Sequence, residues 1–132
     1  MRTRIALAGI AMIALGCRSQ PRPQAKAKTV VWQAVGSWSG HGDAQTESFD
    51  IGYEPCRIRW EARNASADAV LRVTVNSAIS GRELALLVDH RGNGNETSYI
   101  RVDPHYSYLV IESKNLDWSM TVEEGEIFPA QK

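Results

Sequence analysis

Each of the three histidines in this chain has an aspartate within two positions: His41 with Asp43, His90 with Asp89, and His105 with Asp103. An imidazole oriented by a carboxylate is the general base of many hydrolytic sites. Zinc chemistry would want His or Cys in a fixed register such as H-x-x-x-H or C-x-x-C, and the sequence contains neither. It also contains no Gly-x-Ser-x-Gly nucleophile elbow. Exposed loop histidines are the plainer reading. A small hydrolase using a histidine–carboxylate pair is the alternative; His41/Asp43 and Asp89/His90 gathered in one cleft would favour it, and their dispersion over separate loops would favour a binding module.

Two further groups of residues have chemistry to offer. Asp89, Asn93, Asn95 and Glu96 supply oxygens of the kind calcium takes, about 6–8 at a time. Their order departs from the twelve-residue calcium loop and Arg91 adds positive charge, so a chain-turning loop is expected and no metal site is assigned. The aromatic side chains include four tryptophans and four tyrosines. Trp60 and Trp118 fall in phase with apolar neighbours and read as core. Trp38, between two serines, and Tyr106 are freer to be exposed, and they form the candidate ligand-binding pair for a sugar or peptide. Cys56 shares parity with Ile58 and Trp60, so it is expected to be a buried, inert thiol. No catalytic residue and no cofactor are assigned.

The elements that must position these residues are strands. Period-2 alternation puts Ile58, Trp60 and Ala62 on one face and Arg57, Arg59 and Glu61 on the other. The same pattern predicts inward residues Leu71, Val73 and Val75, then Leu84, Leu86 and Val88, then Ile100 and Val102. It continues with Leu109 and Ile111, and with Trp118, Met120 and Val122. An opening strand is expected over 29–35, followed by a Gly-rich loop over 36–43 and a short strand over 48–51. Turns are expected at 64–68, 80–81, 91–95, 103–105 and 113–117, where Gly, Asn, Asp, Ser or Pro interrupt the alternation. The fold class is therefore all-β: an antiparallel β-sandwich of seven or eight strands, jelly-roll-like because the cysteine pair of antibody domains is missing.

Residues 1–16 read as an export signal. Arg2 and Arg4 precede a short apolar run over 5–16, too short for the roughly 20 residues that span a bilayer. The run ends on Ala14, Leu15 and Gly16 before Cys17, which resembles a bacterial lipobox, whose cysteine is acylated (palmitate among the chains) and becomes the new N-terminus. Residues 17–28 carry four basic side chains, two prolines and no large apolar residue, the composition of a flexible tether. The chain as a whole is neutral, but residues 29–132 hold fifteen acidic and nine basic side chains. That balance argues against nucleic acid as a partner.

Gly40-x-Gly42, Thr46-x-x-Phe49-x-Ile51, Ile58-x-Trp60, Tyr108-Leu109-x-Ile111 and Trp118-x-Met120-x-Val122 follow one another in this order. This succession resembles the small β-sandwich of uncharacterised bacterial secreted proteins and lipoproteins. It is similar in rhythm to the C-terminal sandwich domains of secreted peptidases and, distantly, to CUB domains. His105 departs from that pattern, where a glycine is usual before the aromatic pair. The resemblance implies a fold and carries over no catalytic residue. Together these readings give a signal peptide (1–16), a tether (17–28) and one sandwich domain (29–132). The expected protein is a non-catalytic envelope module, held to the membrane by lipid on Cys17, that binds an envelope protein or glycan or merely spaces larger complexes. It faces the periplasm or exterior. Arg18 after the cysteine, rather than Asp, implies the outer membrane in a Gram-negative host.

Overall fold

The computed structural model describes residues 29–128. The expected signal, tether and lipid site at Cys17 lie outside them. Nine strands run in sequence: β1 (Thr29–His41), β2 (Ala44–Gln45), β3 (Phe49–Ile51), β4 (Cys56–Arg63), β5 (Val70–Ser77), β6 (Glu83–Arg91), β7 (Gly94–Tyr99), β8 (His105–Lys114) and β9 (Asp117–Phe128). They form two antiparallel sheets, one ordered β1-β9-β4-β7 and the other β2-β8-β5-β6, with β3 also on β8. β2 and β3 lie along the same strand, so they act as one interrupted strand. Thr46 bridges the interruption: its N–H donates to Leu109 O and its Oγ1 accepts from Leu109 N–H, both at 3.0 Å. Eight strands in this order, with every connection but β5–β6 passing between the sheets, make the expected jelly-roll-like sandwich.

The alternating positions of β4, β5, β8 and β9 fill the space between the sheets as expected. Ile58, Leu71, Val73, Val75, Leu109 and Val122 are fully buried, and Ile111, Trp60, Trp118 and Met120 nearly so. Burying each such side chain contributes roughly 1.5–3 kcal/mol. Leu116, read as part of a turn, is also fully buried and closes the core at the β8–β9 bend.

Three expectations are corrected. The glycine-rich stretch 36–43 is no loop, because β1 continues unbroken to His41 along β9. A bulge at Val35 reverses the parity, so Trp32 and Ala34 share an outward face with Ser37, Ser39 and His41. The alternation therefore breaks in the sequence without ending the strand. In β6, Leu84 and Leu87 are extra residues opposite β5, and Leu86 turns outward with 47% exposure instead of pointing into the core. The segment expected at 100–102 begins earlier, as β7. Ile100 follows it, buried, with its N–H on Cys56 O at 2.8 Å.

The glycines of β1 have a packing role. Gly40 pairs with Trp118, and a Cβ on Gly40 would come within 2.8 Å of the indole. Trp118 is 3% exposed, and its Nε1–H donates to Gly42 O at 2.8 Å, so the ring has no room to yield. Gly40→Ala is expected to cost about 1–3 kcal/mol by overpacking, read as a lowered urea midpoint with an unchanged slope.

Candidate functional site

The outer face of β1-β9-β4-β7 carries a depression of about 590 Å³. Three consecutive residues from each strand line it, and the strand register sets its outward side chains in two rows. Ser37, Thr121, Arg59 and Thr97 form one row, and Ser39, Ser119, Glu61 and Asn95 the next. Short hydroxyl side chains on β1 and β9 keep the floor low, and Ser37 Oγ and Thr121 Oγ1 lie 2.9 Å apart. Every row offers both donors and acceptors, with one cation and one carboxylate facing solvent.

One end of the groove is built around Glu123. Its carboxylate accepts from Arg57 Nε at 2.7 Å and lies 3.1 Å from Arg59 Nε, and the residue is only 8% exposed. The Arg57 guanidinium in turn stacks over Trp32 at 3.8 Å, and Trp32 meets Tyr99 at 6.3 Å between ring centroids. Trp32 is thus the tryptophan that presents a ring beside the groove. Sequence reading missed it, because the bulge that puts Trp32 on the same face as Ser37 leaves no mark in the alternation.

Trp38 and Tyr106 do not come together. Trp38 faces the interior, packs on Phe49 at 5.9 Å, and donates from Nε1 to Glu47 Oε2 at 3.1 Å. The Glu47 carboxyl is held below its usual range by its own backbone N–H and by that indole. Tyr106 lies on β8 in the other sheet, 47% exposed.

Each histidine has a separate partner. His41 Nδ1 lies 2.8 Å from Asp117 Oδ1, across the β1–β9 pair, whereas Asp43 accepts from Ser113 N–H at 2.8 Å. His90 turns inward against Trp60, at 5.0 Å between ring centroids, with Nε2 3.0 Å from Asn93 O. Asp89 points the opposite way on β6, exposed. Asp103 and His105 line one depression with Arg82 and Arg101, but His105 Nε2 is engaged by Ser77 Oγ. That serine–histidine contact has the outline of a nucleophile and its base. The proton inventory says otherwise. Ser77 is 2% exposed, and its Oγ accepts from the N–H groups of Ile79 and Ser80, each at 3.1 Å. With both lone pairs used, the hydroxyl donates to Nε2, so the pair caps the β5–β6 turn.

The oxygens considered for calcium are similarly dispersed. Asn93 Oδ1 accepts from Ala65 N–H at 2.9 Å, Asn95 and Glu96 lie on β7, and Asp89 lies in the opposite sheet. No cluster of three His, Cys, Asp or Glu suited to a metal occurs among the described residues. Cys56 is buried, and burial pushes its thiol up to about 11, with Glu124 adding to the shift. A thiol so rarely ionised is a poor nucleophile.

No family model and no curated protein matches the chain. Among solved structures, a chain of the infectious bursal disease virus Gt strain superposes with a TM-score of 0.38 and 13% identity over 94% of this chain. A chain of the T13 IBDV viral particle gives 0.40 and 14% over 87%. This chain spans 40% and 35% of their respective lengths.

Asp117 is a surface carboxylate with several partners. Asn64 Nδ2 donates to its Oδ2 at 2.8 Å and His41 takes Oδ1, and these contacts hold the carboxyl below its ordinary 3.8. The folded state therefore favours the ionised form. The stabilisation is complete above pH 3.8 and disappears as pH falls through the lower folded value. Asp117→Asn is expected to lower the urea midpoint at pH 6, and the gap to wild type should close in strong acid. A gap that stays constant with pH would contradict the assignment.

Proposed function

We propose that this protein is a non-catalytic, lipid-anchored module of the bacterial cell envelope that binds an envelope glycan or protein on the outer face of its four-stranded sheet. The observation that carries this reading is the groove itself. It is a broad polar surface of paired donors and acceptors on regular strands, flanked at one end by Trp32 and Tyr99, with no nucleophile–base pair facing it. Binding sites combine orienting polar groups with aromatic contact area in this way. The separation of His41, His90 and His105 onto unrelated partners favours this over the hydrolase alternative. Anchoring rests on the run of small residues before Cys17 and on the basic, proline-containing tether of 17–28, whose charges suit an anionic lipid surface.

Two experiments test the two halves. Cys17→Ser is expected to move the protein from the membrane to the soluble envelope fraction with its thermal transition unchanged. Full retention in the membrane would refute the anchor. Ser119→Trp, which fills the middle of the groove, is expected to weaken retention on immobilised envelope glycans, or cross-linking to an envelope protein, by about tenfold or more. Equal binding by this variant would move the site elsewhere.

A further inference from the structure

A β-sandwich must protect its sheet edges, because each exposes unpaired N–H and C=O groups that can accept another strand. Three of the four edges here carry the usual protections. The β2/β3 edge is broken into pieces of two and three residues. β6 has Glu83, Asp89 and Arg91 along it and two irregularities of register. β7 is six residues long and includes Glu96.

β1 carries fewer of these protections. It is thirteen residues long and has no Asp, Glu, Lys, Arg or Pro, and its single irregularity is the bulge at Val35. Its first half also projects. β4 begins opposite Glu124 and the chain before it reaches Gly125 only through Pro55 O at 2.7 Å, so among the described residues the ribbon formed by Thr29–Val31 with Glu126–Phe128 has no strand beyond β9. Val30, Val31 and Val35 are 38%, 44% and 37% exposed there, and Ile127 and Phe128 are 41% and 43%. A two-stranded ribbon by itself is marginally stable in water.

We propose that β1 pairs through this edge with β1 of a second copy of the chain, antiparallel about a two-fold axis. The lack of charge points to a second copy. A two-fold sets a strand against itself, so each charged residue brings a like charge from the partner into the interface, at a cost. A strand with no charges is compatible with itself in any register. The result is one eight-stranded sheet, β7-β4-β9-β1 followed by the partner's β1-β9-β4-β7, with both grooves opening on the same side. This inference does not depend on lipid attachment or on what the groove binds.

The test uses residues 17–132 with Cys17→Ser, a segment containing the whole core, since among the described residues every buried apolar side chain lies between Phe49 and Val122. Sedimentation equilibrium is expected to give twice the monomer mass at high concentration. Hydrogen exchange should show amide protection over 29–35 that falls on dilution. Val31→Lys faces Glu126 within the same molecule, so the monomer tolerates it, but it is expected to weaken the dimer by about tenfold or more. Leu86→Lys, on the β6 edge, should leave the dimer intact. A monomer at every concentration overturns the proposal. So does a dimer indifferent to Val31→Lys, or one whose 29–35 amides exchange at the same rate at all concentrations.

Discussion

Aromatic rings pressed against glycine hold β1 to β9 along its length. Trp118 covers Gly40, Trp32 and Val30 cover Gly125, and Trp38 folds back over Gly36, each at a distance that leaves no space for a methyl group. Two of these contacts cross the β1–β9 pair, so the pairing is set by where a large ring meets a missing side chain. Such contacts offset the poor strand propensity of glycine by covering its bare backbone with apolar surface. Trp118 points into the core, whereas Trp32 lies on the outer face beside Arg57, so the same device serves both sides of the sheet.

The groove follows from this arrangement. With its large residues turned inward or toward one end, β1 and β9 present serine and threonine to solvent, and the floor stays shallow and polar. The buried Glu123, sharing its carboxylate between Arg57 and Arg59, fixes the guanidinium groups at the groove's end. A carboxylate this enclosed is tolerated because its charge is paired and hydrogen-bonded. Arg57 in turn fixes the plane of Trp32.

Where a strand is regular and covered on one face, its sequence states its structure. β4, β5, β8 and β9 are such strands, and Ile58, Val73, Leu109 and Met120 lie where alternation puts them. The same rule failed where one extra residue shifts the parity. Val35 hides the continuity of β1, and the extra Leu87 turns Leu86 to solvent. The candidate site was harder to read for a related reason. Its residues are spaced across four strands that are distant in sequence, so the rows exist only once the register is known. Local neighbours misled in the same way: Asp43 is close to His41 in sequence, but Asp117 is its partner, reached across the β1–β9 pair.

Because β9 lies between β1 and β4, the order of synthesis determines when the sheet can exist. The strand that joins its two halves is the last of the nine to be made. Until Asp117–Phe128 is available, β1 has no neighbour and β4 has only β7, so neither a closed sandwich nor a groove can form. Pairings this distant in sequence make folding slow and leave edges exposed meanwhile. A nascent or truncated chain lacking Asp117–Phe128 therefore loses the whole grooved face at once, rather than one strand of it.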